Sequence, residues 1–320
     1  MKRCLLQCSL FILLTLPING LAFGVIGQAT GSQVTTAQTR SFGVGDGPEA
    51  IVFDGANVWV ANQFSNTVTK VRASDGAVLG SFAVGNRPIA LTFDGSNVWV
   101  ANYVSNSVTI LRSSNGGSVG TIATGEGPGG LFYDGNNVWI ANRKGNSVNK
   151  VNARTRTTLG TYDVGTRPIA IASDGTNIWV TNSESNNVTK LSATDGTNLG
   201  TFAVGKGPFG IACDGSNIWV ANFFSQTVSK LASDGTTLGT FSVGDGPAGV
   251  TFAGSFIWVV NNGSSTVSKI QVSDGTVIKT FSVGRAPYGV VFDGTNLWVA
   301  SSSTASISKI SPTANTQAVP

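Results

Sequence analysis

The 320-residue chain contains no histidine. This excludes His-based general acid–base catalysis, Ser-His-Asp triads and the usual His-rich zinc, copper and haem sites. Cysteine is almost as scarce. Two of the three, Cys4 and Cys8, lie at the extreme N-terminus, so a chain cleaved behind them keeps only Cys213 and forms no intrachain disulfide. Charged residues make up 11% of the chain, and the net charge of +4 falls to +2 without Lys2 and Arg3, a balance too even to imply nucleic acid. The apolar run from Leu5 to Ile18 is shorter than the roughly 20 residues needed to span a bilayer.

That run follows Met1-Lys2-Arg3 and precedes the small residues Gly20-Leu21-Ala22 and Gly27-Gln28-Ala29, the pattern of a secretory signal peptide cleaved near Ala22 or Ala29. A membrane anchor is the other reading of the same run. Leu5-Leu6-Gln7-Cys8 has the form of a lipoprotein box but lacks an apolar segment in front of it. The expectation is a signal peptide and short leader over 1–29, and a secreted, periplasmic or extracellular protein with no membrane span after cleavage. Gly, Ser, Thr, Asn and Val dominate what remains, which suits an all-β fold of short strands and tight turns.

The tryptophans are periodic. Trp59, Trp99, Trp139, Trp179, Trp219, Trp258 and Trp298 stand 40 residues apart, except for one step of 39. Around the first, Ile51 to Phe53 reads as strand A and Val58 to Ala61 as strand B, with Asp54-Gly55 between them. Thr67 to Arg72 reads as strand C and Val78 to Val84 as strand D, joined through Asp75-Gly76. Asp-Gly between alternating β-branched and aromatic runs is a hairpin signal, because Gly tolerates positive φ and Asp bonds its own backbone. Four antiparallel strands in about 40 residues, repeated seven times, predict a seven-bladed β-propeller over 30–312, with a polar C-terminal tail over 313–320.

The two ends of the repeat array complement each other. A strand D pattern, SFGVG at Ser41, precedes the first blade, while the last unit stops after strand C at Ile307 to Ile310. The N-terminal strand, about 39–45, is therefore expected to complete the seventh blade and remove the edges of an open array. An open β-solenoid would not need the missing strand to reappear at the far end. Each strand A opens with proline, tolerated where no ladder donor is needed, and two residues on stands Ala or Gly, where seven inner strands crowd the axis. The tryptophans lie one strand further out and are expected to fill the wedges between blades.

With Trp179-Val180-Thr181-Asn182 and the Trp-Val-Ala-Asn copies, residues 40 to 312 resemble the YVTN-repeat propellers, within the wider NHL-like, lactonase-like and streptogramin-lyase-like group. The resemblance implies a seven-bladed propeller and a secreted or surface-associated bacterial protein. It implies no single activity, because one frame carries many. Streptogramin-lyase-like propellers are expected to use histidine, so that activity does not carry over.

Most of the polar residues have structural readings. Asp54, Asp94, Asp134, Asp174, Asp214 and Asp293 belong to A–B turns, and Asp75, Asp195, Asp234 and Asp274 to C–D turns. Lys70, Lys150, Lys190, Lys230, Lys269 and Lys309, ending strand C, are expected as a solvated ring beside them. Cys213 replaces Phe53 in its blade and reads as a buried packing residue. Asn62, Asn102, Asn142, Asn182, Asn222 and Asn261, with Ser301, are expected to bond the loop that follows strand B.

Variation gathers on the face formed by B–C loops and D–A linkers. Phe64, Tyr103, Arg143, Lys144, Glu184, Phe223 and Phe224 lie in the loops, Arg285 in a linker, and Glu49, Phe209 and Tyr288 directly after the strand A prolines near the channel mouth. Rigid scaffolds carry function on such loops, so these residues are candidates to hold a protein, peptide or glycan. Drift between duplicated blades is the competing account. The leading expectation is a secreted, monomeric, non-catalytic binder without a cofactor. The alternative is a metal-assisted lactonase or lyase at the channel mouth, where Glu49, Asp46, Glu126 and Asp245 are the candidate ligands of a divalent metal.

Overall fold

In a computed structural model describing residues 39–311, strands β1 to β28 form seven four-stranded antiparallel sheets, and the described residues contain no α-helix. The first 38 residues, which include the expected signal peptide, and 312–320, which include the polar tail, lie outside the described part. No helix among the described residues is long and apolar enough to cross a membrane. The first blade is β2 (Pro48–Phe53), β3 (Asn57–Asn62), β4 (Thr67–Arg72) and β5 (Val78–Ala83), in that order from the axis outward. The seventh is β26 (Pro287–Phe292), β27 (Leu297–Ser301), β28 (Ser306–Ile310) and then β1 (Thr39–Gly43), with Thr39 opposite Ile310 and Gly43 opposite Ser306. The ring is thus closed by a hydrogen-bonded ladder between the two ends of the array.

Each A–B turn does more than reverse the chain. Asp54 Oδ1 accepts the amides of Ala56 and Asn57 at 2.9 and 2.6 Å, while Oδ2 accepts the indole N–H of Trp59 at 2.7 Å. The same Asp–Trp bond recurs at 2.7–2.9 Å for Trp99, Trp139, Trp179, Trp219 and Trp298. Burial alone would push these carboxyls up. The indole, backbone and Asn side-chain donors outweigh it and hold all six aspartates below the ordinary value. Every tryptophan is buried, and Trp59 packs against Val98, Val100 and Leu111 of the next blade, so the indoles fill the wedges as expected.

The strand C lysines are not a solvated ring. Lys70 Nζ lies 5.0 Å from the centre of the Trp59 ring and donates at 2.7 Å to the carbonyl of Ser113, in the C–D turn of the next blade. Lys150, Lys190 and Lys230 make the same bond one blade further on, and Lys309 reaches Ala73 at 2.8 Å across the ring closure. A long aliphatic stem on an indole with the ammonium on a carbonyl turns a charged residue into a clasp between blades. The asparagine ring also differs from expectation. Asn62 Nδ2 donates to the hydroxyls of Thr67 and Thr69 on strand C, and in six blades the Asn Oδ1 is buried without a partner. Cys213 is half-buried rather than buried, and its Sγ accepts the Gly215 amide.

Among the departures from the repeat, two touch the clasp or the turn aspartate. At the junction of the second and third blades, Ile110 replaces the clasp lysine, Ile122 replaces the strand D aromatic, and Arg156 (φ 62°) replaces the C–D turn glycine. Elsewhere that glycine sits on the ring of the preceding blade, Gly196 on Tyr162 for example, where any Cβ would collide with it. The smaller Ile122 leaves room, and Arg156 reaches back to the carbonyl of Val119 at 3.4 Å. In the sixth blade Ala253 replaces the turn aspartate and leaves the Trp258 indole N–H without a partner. The neighbouring Asn becomes Phe256, and Lys269 lies 3.7 Å over its ring.

At the axis, strands A approach so closely that a Cβ on Gly210 would collide with the carbonyl of Ala248, and one on Gly249 with that of Tyr288. A bulge between Pro48 and Ala50, recurring at the start of every strand A, turns the residue after proline toward the channel mouth.

Candidate functional site

The residues after the seven prolines, among them Glu49, Gly129, Ile169, Phe209, Ala248 and Tyr288, line a cavity of about 190 Å³ at the mouth of the channel. Arg143, from the B–C loop of the third blade, joins them because Gly129 has no side chain. A Cβ there would occupy the place of the Arg143 Cδ and Nε atoms. Arg143 Nη2 donates to the Gly129 carbonyl at 3.1 Å, its Nε has no protein partner, and its guanidinium lies 5.7 Å from the centre of the Phe209 ring.

Glu49 shares this cavity, yet it makes no ion pair with Arg143. Among the described residues, ion pairs join only Arg72 to Asp75 and Arg167 to Glu184. Burial raises the Glu49 carboxyl above its ordinary value, with Arg143 and Arg87 acting against it. Burial likewise lowers the Arg143 guanidinium, and Glu49 opposes that shift. Each charge therefore feels the other without an ion-pair contact between them.

The far wall is aromatic. Tyr288 and Phe209 have ring centres 6.1 Å apart, Phe209 and Phe223 5.9 Å, and Phe223 and Phe224 5.2 Å edge to face. Phe209 and Tyr288 come from the fifth and seventh blades and meet because the sixth contributes only the buried Ala248 between them. Thr181, which stands where other blades have Ala or Val, accepts the amide of Ala170 at 3.0 Å and donates to the carbonyl of Phe209 at 2.8 Å. It fixes the backbone that carries the central ring. Asn262 Nδ2 similarly holds the Pro287 carbonyl at 3.1 Å, next to Tyr288. Burial, then the Glu49 charge, raises the Tyr288 phenol, so it stays a neutral donor.

The near wall is basic. Arg87 and Lys144 lie 5.3 and 5.1 Å from the centre of the Tyr103 ring, and Arg167 pairs with Glu184 at 3.1 Å. Arg87 and Arg167 both have φ 57°, at the linker position where Gly47, Gly127, Gly207 and Gly246 stand in four other linkers and Ala286 (φ 50°) in the last. Their amides are held by the side-chain oxygens of Asn66 and Asn146 at 2.8 and 2.9 Å. A cavity of about 410 Å³ lies between Tyr103, Lys144, Asn146 and Arg167, and one of about 150 Å³ between Arg167, Phe223, Phe224 and Tyr288. Arg143 lines all three cavities, so they form one groove from the axis outward.

Of the candidates from sequence, Glu49, Tyr103, Arg143, Lys144, Glu184, Phe209, Phe223, Phe224 and Tyr288 come together along this groove. Phe64 is 68% exposed in the first blade, where its ring lies over Gly47, and Arg285 is exposed in the last linker. Neither lines these cavities. Asp46, Glu126 and Asp245 are exposed on separate linkers, and no three His, Cys, Asp or Glu side chains gather among the described residues. Gly129, Arg167 and Ala248 join the site from structure, with Thr181 behind it fixing the Phe209 backbone. In sequence each appears only as a departure from its repeat position.

No protein-family model matches the chain, and no curated protein matches it. Solved structures do. A virginiamycin B lyase from Staphylococcus aureus superposes with a TM-score of 0.76 at 18% identity, covering 86% of this chain and 99% of the lyase. A catalytically inactive histidine-to-alanine variant of that lyase with quinupristin gives a TM-score of 0.75 at 18% identity over the same shares. A chain of hydrazine synthase from Kuenenia stuttgartiensis gives 0.76 at 18% identity, covering 90% of this chain and all of that one. At such identities the likeness establishes the seven-bladed fold alone.

Proposed function

We propose that the protein is a secreted, non-catalytic propeller, in the manner of the YVTN-repeat group, that binds a macromolecule or cell-envelope component in the groove on its variable face. The observation that carries this reading is the groove itself: basic and aromatic side chains gathered around Arg143, whose guanidinium makes no ion pair among the described residues. Binding sites combine a largely apolar lining with a few convergent polar groups, which this groove does. Lyase chemistry does not transfer. The lyase neighbour loses its activity with one histidine, and this chain has none.

Retention on isolated cell-wall material, compared between wild type and the Phe223→Ala/Phe224→Ala variant, tests the reading. Loss of retention in a variant of unchanged melting temperature is the expected result, and full retention removes the groove from the proposal. The enzyme alternative rests on Glu49, a carboxyl of raised proton affinity at the axis. A gain in melting temperature with calcium or zinc, abolished by Glu49→Ala, would favour it.

A further inference from the structure

Resting on the binding reading, we infer that the ligand is an anionic glycan, whose acidic groups sit between Arg143 and Arg167 while a sugar ring lies on Phe209 and Phe223. Three cations, Arg143, Lys144 and Arg167, line the groove, and Arg87 stands beside it against the Tyr103 ring. Glu184 neutralises only Arg167, and Glu49 lies at the axial end, beyond Arg143. Arg167 adopts a left-handed backbone conformation in which a side chain costs energy; glycine fills this position in four linkers, and Arg87 and Ala286 stand there in two others. The planar guanidinium matches a carboxylate or a phosphate through paired N–H donors.

The opposite wall decides the rest of the ligand. Phe209, Phe223 and Tyr288 offer ring faces and edges to an apolar surface of matching size, such as the C–H face of a pyranose. Hydroxyls around such a ring find Asn146, Thr166, Ser183 and Glu184 along the same groove. An acidic peptide fits less well. A peptide could not be gripped there by strand addition, because in every blade the free edge belongs to the outermost strand D, away from the groove, and the aromatic wall gives its side chains no matching pyranose-like face.

The test measures equilibrium binding of the folded protein to four polymers of similar length: polygalacturonate, a polyribitol phosphate, neutral galactan and polyglutamate. At least one anionic sugar polymer is expected to bind about ten-fold or more tighter than galactan and polyglutamate, and the preference is expected to shrink with added salt. Preference for polygalacturonate assigns the acid as a carboxylate, preference for polyribitol phosphate as a phosphodiester, and binding of both as either anion. Arg143→Gln and Phe209→Leu should each weaken the preferred polymer about ten-fold. The exposed Lys144→Gln, expected to fold as wild type, serves if Arg143→Gln does not. Galactan or polyglutamate bound as tightly, no sugar polymer bound, or affinity unmoved in the folded variants overturns the inference. If groove-dependent retention on cell walls persists without an anionic preference, only the ligand class fails. If retention ignores Phe223 and Phe224, the binding reading itself fails.

Discussion

The two faces of the propeller treat departures from the repeat differently. On the face of the A–B and C–D turns, departures are partly answered nearby: Ile110 and Ile122 accompany Arg156, and Phe256 accompanies Ala253, although the Trp258 indole N–H stays unpartnered. Packing enforces this, because a close-packed wedge has no spare volume and a change on one side must be absorbed on the other. On the B–C and D–A face, Arg143 fills the place Gly129 leaves and Glu184 pairs Arg167, but other departures stay unanswered. Arg143 keeps an unpartnered Nε, Glu49 and Arg143 share a cavity without pairing, and two arginines sit at positive φ. Compensated irregularity is the mark of a packed interface, and the irregularity left over on the other face is what the proposed binding function draws on.

The sharpest way to break this contrast is to make an uncompensated change on the compensated face. Gly196→Arg places a side chain into the Tyr162 ring and should cost about 3 kcal/mol, whereas Arg156→Gly at the matched junction should cost under about 1 kcal/mol. Adding Tyr162→Ile should recover at least about 1 kcal/mol, read as a coupling energy in a double-mutant cycle by urea denaturation. Next in size, Asp214→Ala strands the Trp219 indole N–H and two turn amides, and should cost about 2 kcal/mol. The reverse repair, Ala253→Asp with Phe256→Asn, gives the Trp258 indole a partner and should raise stability by about 1 kcal/mol.

Titration separates the same two faces by sign. Folding raises the Glu49 carboxyl, so the folded state prefers it protonated. Its contribution to stability is intact below the unfolded value of 4.5 and is lost as pH rises through the folded value. Glu49→Gln should therefore raise the melting temperature at pH 7 and change it little well below pH 4.5. The six A–B turn aspartates behave oppositely. Folding lowers them, so their contribution holds above about 3.8 and is lost as pH falls through the folded value, giving acid unfolding that Glu49→Gln leaves in place. The smallest expected effect is Arg167→Gly. Relief of the left-handed residue should stabilise by about 0.5–1 kcal/mol, with little offset from its exposed ion pair, while retention on the ligand falls. A stabilised variant that binds less well is the outcome that drift cannot produce.

Fold and site were legible to different degrees. Tryptophan spacing, Asp-Gly turns and the displaced strand D pattern each report on contacts within about 40 residues, or on one pairing of the chain's two ends, so strand order and closure could be read directly. The clasp lysines were misread because their partners lie in the next blade, 42 to 44 residues further along the chain, or 236 residues away for the ring-closing Lys309. The groove candidates were recognised as variable, but nothing in their spacing says that Phe209 meets Tyr288 while Phe64 and Arg285 stand apart.

Local chemistry, repeated seven times, was enough to determine the blade, the number of blades and the seam of the ring, because hairpin turns and β-pairing are short-range and a closed ring leaves few alternatives. Whether Arg143 reaches the axis depends on an absent side chain at Gly129, and whether two aromatic rings from different blades touch depends on the size of Ala248 between them. Those are relations of volume across blades, and volume is assigned only once the chain has closed on itself.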